Sequence, residues 1–218
     1  KELERLKADV ERIMRHDLKT PLNGLLGLPQ VLLMDDSFTA EQREMLYSIE
    51  RSARHMLRMI NLSLDMFKME TGAYTYVPQH VQLVAVLFQV LSDLESRPAD
   101  TQTRLGVWAE ERLLYSMFSN LLANAIEASP AEGLVVVDIS RSEVVDLCIR
   151  NRGAVPESIR ERFFEKYNSY GKKAGTGLGT YSAKIMAETM QFDIRMQTDD
   201  VADMTWVTIV IPLANNAG

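Results

Sequence analysis

The sequence contains few of the residues that build disulfides, zinc sites or membrane spans. Its one cysteine, Cys148, cannot form an internal disulfide, which argues for a reducing compartment or for a fold that needs no disulfide. Three histidines and that cysteine leave little material for a structural zinc site. No apolar run approaches the roughly 20 residues of a membrane helix, so we expect no membrane contact by this chain. The net charge of -6 argues against binding to nucleic acid or anionic lipid.

What the sequence does contain is typical of a folded protein with one large or two small domains. Hydrophobic residues make up 46% and charged residues 25%, a balance that excludes a disordered chain. The length of 218 residues exceeds the roughly 100–200 residues of a usual single domain. The chain starts at Lys1 within a helical pattern and without Met, so we expect it to be a piece of a longer protein.

The first third of the sequence predicts two long helices. Over residues 1–34, apolar residues recur at alternating three- and four-residue steps, the spacing of a coiled-coil seam. The seam begins with Leu3, Leu6, Val10 and Ile13. Pro21 lies inside this helix and removes a backbone hydrogen bond, which predicts a kink just past His16. The pattern breaks at residues 35–37, and a second helix is predicted to start near Thr39 as its N-cap.

The second predicted helix carries a seam of the same narrow kind. Its members are Ile49, Ser52, Met56, Met59, Ser63 and Met66. Two antiparallel helices with narrow seams cannot close a core alone, whereas two such hairpins together form a four-helix bundle. We therefore predict a homodimer.

After Thr71 and Gly72 the pattern mixes strands with helices. The predicted helices span 84–94, 113–129 and 179–190, and the predicted strands span 104–108, 134–140, 144–149, 192–198 and 205–211. Helices gathered against a mostly antiparallel sheet predict a two-layer α/β sandwich. The predicted fold class is therefore α + α/β, with an antiparallel helical hairpin over 1–72 and the sandwich over 73–218.

The segment 15–23 contains a candidate nucleophile. His16 falls just outside the seam, so its imidazole should reach solvent, where a neutral ring nitrogen can attack phosphorus. Asp17 beside it can orient the ring and accept the other ring proton. Thr20, one turn further on the same face, can hydrogen-bond a water for the reverse hydrolysis. The alternative is a solvated helix face that happens to carry a histidine.

A second motif lies in the predicted helix over 113–129. Asn120, Asn124 and Glu127 follow one another at four- and three-residue spacing and so share one helix face. The opposite face, predicted to be buried, carries Leu121, Leu122 and Ile126. Amide oxygens are suitable ligands for Mg²⁺, which shares its coordination shell with phosphates and water. The alternative is a helix with an ordinary polar face, although two asparagines in mid-helix run against helix propensity.

The third motif is a glycine-rich turn directly before the last predicted helix. Gly175, Gly177 and Gly179 let backbone amides approach an anion closely, and the helix adds its positive N-terminal end. Lys172 or Lys173 can neutralise a terminal phosphate. A flexible connector is the alternative, but the position between a strand pair and a helix favours phosphate binding.

Between the second and third motifs lies a candidate contact for a nucleotide base. Asn151 is predicted to end a strand, where its side chain can face an adenine edge, and Gly153 follows. Phe163 and Phe164 would anchor a mobile lid of about 18 residues over the nucleotide. Alternatively, one of these two side chains belongs to the core and the lid is an ordinary loop.

Taken in this order, the motifs resemble the transmitter region of a bacterial two-component sensor histidine kinase, and the resemblance covers nearly the whole chain. Residues 16–21 match the phosphoacceptor box of that family, 120–127 its asparagine box and 175–179 its second glycine box. The resemblance implies a dimerisation and histidine-phosphotransfer domain over 1–72 and a GHKL-type ATP-binding domain over 73–218.

The resemblance also implies a function. ATP with Mg²⁺ would phosphorylate His16, and the phosphoryl group would pass to an aspartate of a response-regulator receiver domain docked on the bundle. Asn124 would hold the metal with support from Asn120, and Asn151 would meet the adenine. The remaining nucleotide contacts implied are Gly153, Lys172, Gly175, Gly177, Leu178 and Gly179. Thr20 would assist a phosphatase reaction on the regulator, and the fragment would work in the cytoplasm.

The sequence departs from the family pattern at three places. The first glycine box usually reads Asp-x-Gly-x-Gly, whereas here Asn151 replaces the Asp and Val155 the second glycine. An amide oxygen still accepts the bond from the adenine amino group, but without carboxylate charge, so we expect weaker affinity and looser adenine specificity. A usual Gly-Thr pair near the C-terminus is Met204-Thr205 here, which predicts a reshaped turn. Glu127 stands where the family often has a basic residue.

The altered first glycine box leaves other functions open. One is a degenerate kinase that acts as a dimeric scaffold or inhibitory partner with weak or absent ATP turnover. Another is a GHKL-type ATPase that forms no phosphohistidine.

Overall fold

The computed structural model describes residues 19–35, 37–94, 104–131, 133–168 and 177–213. It divides the chain into two compact units, Lys1–Tyr74 and Thr75–Gly218. Within the described ranges, every helix is too short or too polar to cross a bilayer. The kink predicted past His16 lies outside the described residues.

The described part of the first unit is an antiparallel helical hairpin of α1 (Lys19–Leu32) and α2 (Ala40–Glu70). The Gln30 Nε2 donates to the Glu50 Oε1 over 2.9 Å, and the Arg43 guanidinium donates to the Leu33 carbonyl over 3.2 Å. Because one partner's number falls as the other's rises, these contacts require the two helices to run in opposite directions. The predicted hairpin is confirmed.

Helix α2 begins where its capping chemistry predicts. The Thr39 hydroxyl accepts a hydrogen bond from the Gln42 backbone N–H, and the Gln42 side chain accepts one from the Thr39 N–H, which completes a capping box. The helix ends at Glu70, and Gly72 follows with a φ of 66°, the left-handed conformation that glycine supplies at helix C-termini.

The hairpin leaves much of its apolar surface uncovered. Of the predicted α2 seam, Met66 is 5% exposed, but Ile49, Met56 and Met59 are 45%, 43% and 39% exposed. Other large apolar side chains exposed on the hairpin are Leu25, Leu28, Val31, Leu32, Met34 and Met45. Packing between the two helices therefore leaves part of the predicted seam exposed.

The second unit mixes helices and strands. Its described helices are α3 (Leu83–Asp93), α4 (Glu111–Ala128), α5 (Glu157–Arg160) and α6 (Gly179–Thr189). Its described strands are β1 (Gln79–Gln82), β2 (Gly106–Ala109), β3 (Val136–Arg141), β4 (Val144–Arg152), β5 (Asp193–Asp199) and β6 (Met204–Pro212). The sequence did not predict β1 or α5. β2 is equally short, but it overlaps the predicted strand over 104–108, whereas the mainly polar segments 79–82 and 157–160 show no apolar run.

The strands form two antiparallel sheets. β1 pairs with β2, and the larger sheet has the order β3-β4-β6-β5. Alternate residues of β4 and β6 are buried, so one face of the larger sheet packs on helices, with α4 touching α3, α6 and β4. Fully buried side chains in this core include Leu114, Phe118, Leu122, Leu147, Ile209 and Ile211. This is the two-layer α/β sandwich that the sequence predicted.

Candidate nucleotide site

Helix α4 carries its two asparagines at the margin of the core. Leu122 is fully buried, whereas Asn120 and Asn124 are half-buried. Ile126, predicted to lie on the buried face, is 39% exposed, so that prediction was wrong. It lies about 100° around the helix from the buried Ala125, which places it at the edge of the apolar stripe.

A directed chain of hydrogen bonds joins α4 to the start of α6. The Asn120 Nδ2 donates to the Ser182 Oγ over 2.9 Å, and the Ser182 hydroxyl donates to the Gly179 carbonyl over 2.9 Å. Ser182 is fully buried. The asparagine motif and the second glycine motif are therefore in contact through a serine that the sequence analysis missed.

The N-terminus of α6 is suited to an anion. Leu178 occupies its N-cap position, and no side chain in the described part caps the helix there. A Cβ added to Gly179 would meet no described atom within 4 Å. Because the first amide groups of a helix lack internal acceptors and carry partial positive charge, this end can bind a phosphate group.

Asn151 faces inward from β4, beside β6. It lies opposite Thr205 in the β4–β6 register and is 4% exposed. Its Nδ2 donates to the Arg152 carbonyl over 2.8 Å. This fixes the amide orientation, because the flipped amide would place two acceptor oxygens against each other. Within the described ranges, nothing donates to the Asn151 Oδ1. That oxygen can accept a hydrogen bond from the amino group of a purine base.

The turn before β6 holds the backbone that follows Asn151. The Gly153 N–H donates to the Asp203 carbonyl over 2.9 Å, and the Ala154 N–H donates to the Asp203 carboxylate over 2.9 Å. The Thr205 hydroxyl donates to the Gly153 carbonyl over 2.7 Å. In the sequence this turn stands out only as a departure from a family pattern, yet its hydrogen bonds fix the shape of the first glycine motif.

Gly153 brings the same loop against the end of α4. Its φ is 106°, and a Cβ there would lie 2.9 Å from the Ala128 carbonyl oxygen. Only glycine combines that backbone conformation with so close an approach. The first glycine motif therefore contacts the helix that carries the asparagines.

Two further side chains, both missed by the sequence analysis, support this loop. The Thr198 hydroxyl accepts from the Val155 N–H over 3.0 Å and donates to the Met204 carbonyl over 3.0 Å. The Arg160 Nε donates to the Val155 carbonyl over 2.7 Å, and the guanidinium pairs with Asp200. A threonine within a strand looks like any other β-forming residue, so the sequence carries no signal for such roles.

The two flanks of the predicted lid are tied to each other. Phe163 is 9% exposed and packs edge-to-face on the half-buried Phe164. The Thr180 hydroxyl of α6 donates to the Phe163 carbonyl over 2.8 Å, and the Tyr167 N–H donates to the Gly177 carbonyl over 3.0 Å. Gly177 has a φ of 66° and no room for a Cβ beside the Tyr167 backbone. Phe163 is thus buried, and the described flanks of the predicted lid lie side by side.

The structure gathers part of the predicted site around the C-terminal half of α4. Asn120 and Asn124 lie on α4, Gly179 is joined to Asn120 through Ser182, and Gly153 lies against Ala128, with Asn151 on the adjoining strand. Gly177 and Leu178 directly precede α6. Thr20 lies exposed on α1, in the first unit. The remaining predicted site residues, His16, Asp17, Lys172 and Gly175, lie outside the described residues.

This arrangement fits a nucleotide with a divalent cation. The Asn120 Oδ1 accepts no hydrogen bond from any described group, and a neutral amide oxygen is a hard ligand of the kind Mg²⁺ accepts. The Asn151 Oδ1 offers an acceptor for the base, and the α6 N-terminus offers amide donors for phosphates. These are the three kinds of group that a magnesium–nucleotide complex requires.

Two family models match the sequence. Residues 6–72 match the His Kinase A (phospho-acceptor) domain, and residues 109–215 match the histidine kinase-, DNA gyrase B- and HSP90-like ATPase. His16 falls in the first match, whereas Asn120, Asn124 and Asn151 fall in the second.

Two bacterial sensor kinases are similar in sequence over 99% of the chain. The sensor histidine kinase AruS of Pseudomonas aeruginosa is 29% identical, with 24% of its own length covered. The signal transduction histidine-protein kinase BarA of Escherichia coli is 28% identical over 99% of this chain, with 26% of its own length covered. The chain thus spans about a quarter of the length of each of these two curated relatives.

Solved structures show the same fold. Full-length ShkA in complex with AMPPNP superposes with a TM-score of 0.71 at 22% identity, over 97% of this chain and 47% of that one. The Acinetobacter baumannii histidine kinase AdeS gives a TM-score of 0.59 at 20% identity, over 92% of this chain and 98% of that one.

Proposed function

Because the chain belongs to the sensor histidine kinase family, as a transmitter region with a phosphoacceptor domain before an ATPase domain, we propose that it phosphorylates itself on His16. The donor is ATP, and the phosphoryl group then passes to an aspartate of a response-regulator receiver domain. In an opposing phosphatase reaction, Thr20 hydrogen-bonds a water that attacks the phosphorus of the regulator's phosphoaspartate, so that the bond to the aspartate oxygen breaks and inorganic phosphate leaves.

The two parts of the proposal follow the two units of the chain. Residues 1–72 form the dimerisation and phosphotransfer domain, and residues 73–218 form the catalytic ATP-binding domain. The exposed apolar residues Ile49, Met56 and Met59 support a homodimer, since a second hairpin would cover them in a four-helix bundle. The receiver domain docks on this bundle near His16.

One observation carries the assignment of the ATP site: the C-terminal half of α4 lies against the first glycine motif and is linked through Ser182 to the second. Asn120 is hydrogen-bonded to Ser182 of α6, and Gly153 lies against Ala128. Asn124 lies between these two contacts, where its oxygen would hold Mg²⁺ with Asn120 in support. Asn151 would accept from the adenine amino group. The phosphates would lie against the backbone of the second glycine motif, with Lys172 beside them.

Phosphoryl transfer requires positioning and charge neutralisation more than covalent participation by the protein. A neutral His16 ring nitrogen attacks the γ-phosphorus, a P–N bond forms, and the bond to the ADP oxygen breaks. Asp17 accepts a hydrogen bond from the other ring nitrogen and so keeps the attacking nitrogen unprotonated. Mg²⁺, when bound, neutralises charge on the phosphates.

Incubation with γ-labelled ATP and Mg²⁺ tests the proposal. We expect label that is labile to acid and stable to base, as a phosphohistidine is, and that disappears in His16→Ala. ATP hydrolysis that continues unchanged in His16→Ala, with no label in either protein, would show instead an ATPase without phosphohistidine.

The altered first glycine box favours a second candidate, a degenerate kinase that acts as a dimeric scaffold. Asn151 offers adenine a neutral acceptor in place of a carboxylate, which weakens that bond. A chain that dimerises but neither binds ATP nor becomes labelled would support the scaffold and contradict the kinase.

A further inference from the structure

The orientation of the Asn120 side chain depends on one buried hydroxyl. Ser182 is fully buried between α4 and α6, and its single proton is donated to the Gly179 carbonyl. Its oxygen can therefore act only as an acceptor toward Asn120. The Asn120 Nδ2 fills that role at 2.9 Å, and the reversed amide would place Oδ1 against an oxygen with no proton to offer.

The consequence concerns the opposite atom of the amide. With Nδ2 held by Ser182, the Asn120 Oδ1 lies at the opposite edge of the planar amide group, where no described residue donates to it. Successive bonds that run in one direction polarise each other, so the chain from Asn120 through Ser182 to Gly179 is stronger than its separate members. It also ties the open N-terminus of α6 to the helix that carries the asparagines.

We infer that Ser182 is a positioning residue that presents the Asn120 Oδ1 to the divalent cation of the bound nucleotide, as the supporting ligand beside Asn124. The inference rests on the proposed function, since it assumes that nucleotide and cation bind at this site. Ser182 itself touches neither; it acts through Asn120.

The test compares AMPPNP binding by calorimetry with Mg²⁺ and with EDTA, in the whole chain. Loss of one neutral hydrogen bond predicts that Ser182→Ala weakens binding about fivefold with Mg²⁺. With EDTA, we expect binding close to that of the wild type. Ser182→Thr, which keeps the hydroxyl, should restore the Mg²⁺-dependent part.

Thr189→Ala is the matched control. Its hydroxyl donates to the Ile185 carbonyl over 2.8 Å, the same kind of bond on the same helix. That bond does not involve α4, so we expect no change in nucleotide binding. The fluorescence of Trp108 and Trp206 during unfolding reports whether each variant remains folded.

A double-mutant cycle and an NMR measurement separate positioning from packing. If Ser182 acts through Asn120, Ser182→Ala should add nothing to the loss already caused by Asn120→Ala. In the nucleotide-free protein, the Asn120 side-chain NH₂ resonance, assigned by its disappearance in Asn120→Ala, should shift in Ser182→Ala and return in Ser182→Thr.

Three results would overturn the inference. They are equal losses with Mg²⁺ and with EDTA, additive effects in the cycle, or an unmoved Asn120 resonance in Ser182→Ala. If the wild-type chain binds AMPPNP, any of these results leaves the proposed function standing. A wild-type chain that binds no AMPPNP overturns both.

Discussion

The two units of this chain differ in how far their large apolar side chains are buried. In the hairpin, Leu28 and Met45 are 63% and 64% exposed, and similar residues recur along both helices. In the α/β unit, Leu114, Phe118 and Ile209 are fully buried between one sheet face and the helices. The α/β unit therefore closes its own core, whereas the hairpin has an apolar surface that a second copy can cover.

This difference suits two different tasks. A site that must hold a nucleotide depends on fixed neighbours, such as Ser182 beside Asn120 and Thr205 beside Gly153, and a closed core keeps them in place. In the homodimer that we propose, by contrast, part of the helix packing lies between subunits, so the bundle can transmit a change in that packing.

The largest effect is expected where the core is closed. Phe118→Ala removes a fully buried ring and should lower the stability of the α/β unit by about 3–5 kcal/mol. Both tryptophans, Trp108 and Trp206, belong to this unit, so urea unfolding followed by fluorescence reports it selectively. The exposed Gln89→Ala is the control, expected within about 0.5 kcal/mol of the wild type. An unmoved fluorescence midpoint in Phe118→Ala would contradict a self-contained core.

A smaller effect, on assembly alone, is expected in the hairpin. Ile49→Lys places a charge on the exposed seam and should weaken the dimer by about 2 kcal/mol, roughly thirtyfold in Kd. Sedimentation equilibrium measures this loss, while the tryptophan-reported unfolding should not move. The neighbouring Ser48→Lys adds the same charge on another helix face and should leave the dimer intact. Equal dissociation in both variants would show that charge, and not the seam, governs assembly.

The smallest effect concerns the pH dependence of the hairpin. The Gln30 amide and then the Arg54 guanidinium hold the pKa of Glu50 below its usual 4.5. As the pH falls, the Glu50 carboxylate is protonated first in the unfolded chain. The stabilisation that Glu50 gives the folded hairpin is therefore present above about pH 4.5 and is lost below it. The thermal midpoint, followed by circular dichroism, should therefore fall less steeply in acid in Glu50→Gln. A steeper fall in that variant would reverse the assigned sign.

Local chemistry made much of the fold predictable. The capping box of Thr39 and Gln42, and the left-handed Gly72, are read from neighbouring residues, so the limits of α2 follow from the sequence. β1 escaped prediction because its strand character depends on pairing with β2, more than twenty residues further along the chain. Ile126 was misplaced because the edge of a buried stripe depends on what packs there.

The candidate site divides in the same way. Its motifs, from Asn120 to Gly179, are visible as residue types at fixed spacings. The residues that hold these motifs in place are not visible in the sequence. Thr205 meets Asn151 only when β6 pairs with β4, and Ser182 meets Asn120 only when α6 packs on α4. No spacing along the chain encodes either contact.

Residue types and local periodicity were enough to predict two differently built parts and to propose groups that could bind phosphate, metal and base. Strand order and helix packing established which hydroxyls orient those groups and which apolar residues remain exposed. The reason is physical: a cap, a turn or a helical face depends on a few neighbouring residues, whereas a buried hydrogen bond such as Asn120 to Ser182 joins residues 62 positions apart. Such a bond exists only after the core has closed.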